Sequence, residues 1–312
     1  MSEPRIGVVG ATGAVGKVTL ELLGERGFGQ VRAFASERSA GSSVPYGGGE
    51  LVVEETTAET LRDLDLCFFS VGTAQSAELV PPAVAGGAVC VDKSSAFRLT
   101  EGIPLVVPEV NGDRATAHQG IVANPNCSTI QLTCVLQPLH EAAGLRSVRV
   151  ATYQSASGAG VESMQRLEAQ QSVDGNVVGD WELEGDEFEE ESKLRAESQK
   201  ILELPELAFS ASCARVPVLV GHSQAIWVET EAPLAAGEAR EILSAAPSVS
   251  VQDLATPRDA VGRDDVLVGR IRQDTAGPGL ALFTVCDNLR KGAALNAIQI
   301  AELLLERQAL AA

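Results

Sequence analysis

The sequence predicts an α/β chain in two parts: a doubly wound, mostly parallel sheet, then an α+β domain whose sheet is largely antiparallel. Three observations carry this. Short β-branched runs alternate with helical stripes over the first part of the chain, the pattern of strands joined by crossover helices. A glycine-rich turn links the first strand to the first helix. Beyond Gly144 the strands lengthen and some follow one another without a helix between them. A chain of 312 residues also exceeds the usual single domain of about 100–200 residues, so two domains are expected.

Arg5 to Gly10 (RIGVVG) reads as a buried strand, and Ala14 to Arg26 as a helix whose Val15, Val18, Leu22 and Leu23 share one face. Strands follow at Val31–Ser36, Leu51–Glu55, Leu66–Val71 and Ala88–Asp92, with a helix near Ala74–Ala85. Gly120–Ala123 is a further strand, ended by Asn124-Pro125-Asn126. Ser128–Ala143 reads as a helix capped by Ser128 or Asn126, with Pro138 implying a kink or an early stop.

In the second part, strands are expected at Leu145–Thr152, Ala208–Val216 and His222–Glu231. Val266–Asp274 and Leu280–Asp287 face each other across a Gly/Pro-rich link, the signature of a hairpin. Helices are expected at Gly160–Gln171, Glu189–Leu202 and Gly237–Ala245, and the stretch Leu289–Arg307 is strongly helical. The expected domains are residues 1–127 with 289–312, the last helix returning to the first domain, and residues 128–288.

Hydrophobic residues make up 45% of the chain and charged residues 21%, a globular composition with enough apolar side chains for a large core. The net charge of −18 includes no basic stripe, which disfavours nucleic acid and anionic membranes. Apolar runs fall short of the roughly 20 residues of a membrane span, and the N-terminus carries no signal-peptide pattern. The six cysteines show no CxxC spacing, and most sit in apolar runs as reduced core residues. These features point to the cytoplasm. No metal site is expected.

Gly10-Ala11-Thr12-Gly13-Ala14-Val15-Gly16 lies between a strand and a helix. Glycines there let the chain turn sharply and bring a pyrophosphate to the helix N-terminus. The spacing is GxxGxxG rather than GxGxxG, and its place in the strand–helix series makes the first domain a Rossmann-like dinucleotide-binding domain. At the end of the second strand, Ser36-Glu37-Arg38-Ser39 replaces the usual lone acid. Arg38 and Ser39 can clasp a 2′-phosphate, which favours NADP, while Glu37 keeps NAD open and a solvated loop is the plain alternative.

Asn124-Pro125-Asn126-Cys127-Ser128-Thr129 sets a thiol at the start of a helix, where the macrodipole favours the thiolate that attacks a carbonyl carbon. Polar, loop-forming residues precede Cys127, unlike the other cysteines. The small, polar loop Tyr153 to Gly160 (YQSASGAG) admits a ligand closely, with Gln154 as an orienting amide; an ordinary turn is equally consistent. Of three histidines, His118 and His140 read as surface residues. His222 follows Arg215-Val216-Pro217-Val218-Leu219-Val220-Gly221, and histidine suits proton transfer near neutrality. Arg215 offers a bidentate fork for a carboxylate.

In this order the motifs resemble the aspartate-semialdehyde dehydrogenase family: GATGAVG at 10–16, SSAFR at 94–98, NPNCST at 124–129, YQSASGAG at 153–160, RVPVLVGH at 215–222 and DNLRKGAA at 287–294. The resemblance implies an NADP-dependent, phosphorylating aldehyde dehydrogenase. Cys127 would carry an acyl-thioester, His222 would act as general acid/base and Gln154 would orient the substrate. Arg215 would grip its α-carboxylate beside Asn126, and Arg98 would bind the phosphate. Glu190-Glu191-Ser192-Lys193 resembles the family's Glu-Glu-x-Lys, which makes Glu190 a ligand for the substrate amine and Lys193 a second phosphate ligand. Read without the resemblance, these two form a solvated helix face. Ser157, Gly158 and Asn288 are assigned to the cofactor, Asn288 on its nicotinamide side.

Relatives are dimers or tetramers through the second domain, so a homodimer or homotetramer is expected. The chain departs from the pattern at Asn176–Glu189, which is acidic and short, at Lys93, where Asn is usual, and at Ser42-Ser43, where Lys is common. N-acetyl-γ-glutamyl-phosphate reductase is the nearest rival, but its Gly-Cys-Tyr-Pro setting is absent, as is the Ser-Cys-Thr-Thr-Asn of glyceraldehyde-3-phosphate dehydrogenase. A silent dinucleotide-binding paralogue should have lost the nucleophile, which is present.

Overall fold

The computed structural model describes residues 3–169 and 176–310. The described residues up to Pro125, with those from Ala293 onward, form one compact unit, and Asn126–Gly292 form another.

The first unit is built on a seven-stranded sheet in the order Ser43–Tyr46, Gly49–Glu55, Val31–Ala35, Ile6–Val9, Leu66–Phe69, Val89–Asp92, Ile121–Ala123. Every pairing is parallel except that of Ser43–Tyr46 with Gly49–Glu55. The period-2 alternation of a strand divides its apolar residues between two cores. Ile6, Val8, Leu66, Phe68, Val89 and Val91 pack on one side with Leu20 and Leu23 of helix Ala14–Glu25 and with Ile298 and Leu304 of helix Leu295–Glu306. Val9, Cys67, Phe69 and Cys90 pack on the other with Val80 and Ala83 of helix Thr73–Ala85. This is the doubly wound arrangement expected. The hairpin Ser43–Tyr46/Gly49–Glu55 was not expected from its first strand: Ser43-Val44-Pro45-Tyr46 has one buried position, and the turn rests on Gly47 and Gly48, both at positive φ.

The second unit has a six-stranded sheet, Ala208–Arg215, Leu145–Gln154, His222–Thr230, Leu280–Cys286, Val266–Gln273, Val249–Val251. The three central pairings are antiparallel and the two outer ones parallel. The hairpin Val266–Gln273/Leu280–Cys286 forms as expected. The edge strand Val249–Val251 escaped the sequence reading because three residues carry too short a pattern.

Helix Cys127–Ala143 runs unbroken past Pro138, so no early stop occurs there. Helix Glu189–Leu202 has the expected bounds; Val161–Glu168 is shorter than expected, and Gln170 and Gln171 lie outside the described residues. The expected C-terminal helix opens as a π turn at Arg290–Ala294 before Leu295–Glu306.

Candidate active site

Register collects the chemistry of the second unit at one end of its sheet. Gln154 ends its strand opposite Arg215, which ends the neighbouring parallel strand. The antiparallel strand on the other side begins there, so His222 stands at the same edge, paired with Cys286. Two segments distant in sequence, one ending at Gln154 and the other running from Arg215 to His222, thus deliver an amide, a guanidinium and an imidazole to one place.

Helix Cys127–Ala143 begins with the nucleophile candidate. Asn126 is its cap: the Oδ1 accepts the Ser128 N–H at 2.8 Å, meeting one orphan donor of the first turn. The same side chain donates from Nδ2 to Glu190 Oε1 at 2.9 Å, and Gln154 Nε2 donates to that oxygen at 2.9 Å. Glu190 is buried, and one carboxylate oxygen receives two amide donors. A buried carboxylate satisfied on one oxygen is suited to an ammonium group on the other. Glu197 lies seven residues further along the same helix face, fully buried, and its Oε2 accepts the Asn126 backbone N–H at 2.7 Å. Sequence reading missed Glu197; its i+7 spacing from Glu190 was the available signal.

Cys127 is half-buried, whereas the other five cysteines are buried. Burial pushes the Cys67 and Cys213 thiols up to about 12 and the Cys90 and Cys286 thiols well above their ordinary range. A Cβ on Gly292 would lie 3.1 Å from Cys127 Cβ, so glycine there permits the close approach of the DNLRKGAA segment.

His222 is fully buried and its tautomer follows from its partners. Nδ1 accepts the Ser155 backbone N–H at 3.1 Å and lies 3.0 Å from Ser155 Oγ. A nitrogen that accepts an amide N–H carries no proton of its own, so the neutral ring holds its proton on Nε2. Nε2 is buried with no hydrogen-bond partner among the described residues. Burial, and secondarily the Arg215 charge, push the pKa of His222 down to about 3. The ring is therefore a neutral donor rather than an imidazolium. A Cβ on Gly158 would lie 3.0 Å from Nε2 and 2.9 Å from Arg215 Nη1, so the glycine leaves space in front of both.

Arg215 is buried; its Nη1 donates to the Ser155 carbonyl at 3.1 Å and its Nε to Asp180 Oδ2 at 3.1 Å. Asn288 is buried and organises the surrounding loops: its Oδ1 accepts from Ser155 Oγ at 3.0 Å, Ser157 Oγ at 3.1 Å and the Gly221 N–H at 2.9 Å. The side chains of Ser157 and Asn288 thus serve the scaffold of the histidine. Lys193 pairs with Glu189 at 2.6 Å on its own helix and takes no part in the Asn126–Glu190–Gln154 network. Ser155 and Asp180 join the missed residues; Ser155 lies in the small, polar loop Tyr153 to Gly160 that the sequence marks, whereas nothing in the local pattern distinguished Asp180.

The remaining candidates belong to the first unit. Gly10 adopts φ +83°, and a Cβ there would sit 2.4 Å from the Ser70 carbonyl oxygen; one on Gly16 would sit 2.1 Å from the Gly10 oxygen. Both glycines are required by the turn itself. Thr12 lies within that turn, and Gly13 precedes Ala14 and Val15 at the start of helix Ala14–Glu25, whose N-terminus has no side-chain cap. Uncapped amides at the positive end of a helix fit a pyrophosphate. Ser36, Arg38 and Ser39 share one helical turn after strand Val31–Ala35, with Arg38 exposed and in no ion pair among the described residues. Arg98 is buried, with Nε on the Asn124 carbonyl at 3.1 Å and Nη2 on that of Lys93.

Comparison with known proteins agrees along the whole chain. Residues 5–118 match the semialdehyde dehydrogenase NAD binding domain family, and residues 136–291 the semialdehyde dehydrogenase dimerisation domain family. The aspartate-semialdehyde dehydrogenase of Corynebacterium glutamicum is 44% identical, over 96% of this chain and 99% of that one. The crystal structure of aspartate semialdehyde dehydrogenase II from Vibrio cholerae, complexed with ASA, is 37% identical with a TM-score of 0.93, covering 98% of this chain and 99% of that one. That of the Candida albicans enzyme with NADP is 27% identical with a TM-score of 0.79, covering 99% and 100%. The chain belongs to the aspartate-semialdehyde dehydrogenase family.

Proposed function

We propose that this protein is an NADP-dependent aspartate-semialdehyde dehydrogenase, converting L-aspartyl 4-phosphate to L-aspartate 4-semialdehyde and phosphate on the route to lysine, threonine, methionine and isoleucine. The observation that carries the reading is the thiol of Cys127 at a helix start whose cap, Asn126, is tied through Glu190 to Gln154.

The Cys127 thiolate attacks the acyl carbon of the aspartyl phosphate, a C–S bond forms and the acyl C–O bond breaks as phosphate leaves and takes up a proton from solvent. Arg98 and Lys193 are assigned to the phosphate; for Lys193 this requires exchange of Glu189 for the ligand. Glu190 receives the substrate ammonium and Arg215 its α-carboxylate. When bound, NADPH supplies a hydride to the thioester carbonyl. His222 Nε2–H then donates to the oxygen of the hemithioacetal, and collapse of that oxyanion returns the aldehyde and the thiolate. No step requires His222 to change charge, because phosphate carries the balancing proton. A preorganised neutral donor of this kind stabilises an oxyanion without reorganisation.

A homodimer is proposed through the second unit. One face of its sheet, including Arg149, Ala151, Ser210, Ser212 and Trp227, lines an open depression. No helix of the described residues is long and apolar enough to cross a membrane, and the protein is proposed to work in the cytoplasm. The deciding assay is reduction of NADP by aspartate semialdehyde, run with and without phosphate and beside NAD. Phosphate-dependent turnover that favours NADP is expected; binding of NADP without turnover overturns the reading.

A further inference from the structure

We propose that Asp180 and Trp181 form a strap that positions the Arg215 fork, and so set selectivity for a substrate bearing an α-carboxylate. This rests on the assignment of Arg215 to that carboxylate. The strap is anchored in the backbone: Val178 N–H donates to the Arg215 carbonyl at 3.0 Å and Arg215 N–H to the Val178 carbonyl at 2.8 Å, an isolated antiparallel bridge. Two residues on, Asp180 Oδ2 accepts from Arg215 Nε at 3.1 Å. The Trp181 ring then lies 4.7 Å from Arg215 Cζ, over the guanidinium face. Trp181 is itself backed by Phe188, with ring centroids 6.1 Å apart, and a Cβ on Gly179 would fall 2.5 Å from the Phe188 ring. The strap therefore has one seat.

A guanidinium has five N–H donors in a plane. Asp180 takes the Nε donor, the Ser155 carbonyl takes one on Nη1, and Trp181 covers one face. Nη2 makes no hydrogen bond among the described residues, so the end formed by Nη1 and Nη2 is what remains for a ligand. Nη1 of that end and His222 Nε2 lie 2.9 and 3.0 Å from where a Cβ on Gly158 would be, so the two groups border one point and only glycine fits beside them. The carboxylate of Asp180 offsets the guanidinium charge, so a ligand is chosen by the geometry of a bidentate fork more than by charge alone. Asp180 and Trp181 are positioning residues; neither is assigned a contact with the substrate.

The test uses the full-length protein with Asp180→Ala, Asp180→Asn and Trp181→Leu. Substrates are aspartate semialdehyde and 3-aminopropanal, which lacks the carboxylate. With the fork released, KM for aspartate semialdehyde should rise about tenfold in Asp180→Ala and Trp181→Leu, with kcat changed by less than about threefold. The KM for NADP and the kcat/KM for 3-aminopropanal should stay at wild-type values. Asp180→Asn, which keeps an acceptor for Nε, should recover part of the loss. An unchanged or lowered KM in Asp180→Ala overturns the proposal, the latter by making Asp180 a competitor for Arg215. Equal losses on both aldehydes overturn it too, since a general structural defect would act on both.

Calorimetric binding of L-2-aminobutyrate, which has the carboxylate and amine but no aldehyde, separates this from the functional reading. Wild-type binding without turnover of aspartate semialdehyde sinks the reading of function and leaves the strap standing if Asp180→Ala binds about tenfold more weakly. Equal binding by the two proteins sinks the strap.

Discussion

Cys127 and His222 show how position alone separates chemically identical side chains. Five thiols are buried, and for Cys67, Cys90, Cys213 and Cys286 that burial holds the proton on sulfur; only Cys127 is both accessible and at a helix start. Cys127→Ser should keep NADP binding by calorimetry while turnover drops by several orders of magnitude, because a hydroxyl is far harder to ionise at neutral pH. Retention of most activity would remove Cys127 from the chemistry. For His222, a pKa near 3 and an Nδ1 committed to Ser155 mean that the ring is already neutral throughout the working range. The pH profiles of kcat/KM for wild type and His222→Gln should therefore share the same limbs between about pH 5 and 8, the variant lying about 10²–10³ lower through loss of one oxyanion donor. A limb that vanishes in the variant would make His222 a titrating acid/base instead.

Among the elements, the start of helix Cys127–Ala143 couples stability to chemistry most directly. Asn126→Ala loses the cap on Ser128, which should cost about 1 kcal/mol in denaturant unfolding, and it also removes a donor from Glu190. Asn126→Asp keeps the cap but sets a carboxylate against Glu190, so it should regain most of the stability and little of the kcat/KM. Equal recovery of both would show that Asn126 acts through the helix alone. The elements were unevenly legible. Helix Glu189–Leu202 could be bounded from sequence because Leu194, Ile201 and Leu202 share a stripe and acids fill its first turn. The hairpin from Ser43 to Glu55 could not, since a proline and two glycines interrupt its pattern and its stability comes from pairing with a neighbouring strand.

At the scale of the whole molecule, the buried histidine is a liability in acid. Its folded pKa, about 3, lies below the ordinary value of 6.5, so below 6.5 the unfolded chain binds a proton that the native chain does not. Stability should therefore fall as pH drops from about 6.5 towards 3, and Tm should fall less steeply in His222→Gln than in wild type. Parallel slopes would show that another group controls acid unfolding.

The alternation of strands and helices, the glycine turn and the thiol at a helix start were readable from the sequence, because each depends on residues within a turn or two of one another, and the family was readable from the order of such short motifs along the chain. Which groups meet at the sheet edge was not. Gln154 reaches Glu190 across 36 residues and Ser155 reaches His222 across 67, and such contacts depend on strand register and burial. Tertiary structure alone decided that Glu197 holds the Asn126 N–H, that Asn288 joins the Ser155, Ser157 and Gly221 loops and that Asp180 lies on Arg215, since a hydrogen bond between distant segments does not show its partner in the chain. It also set the charge state of His222, because desolvation is a property of the surroundings and not of the side chain.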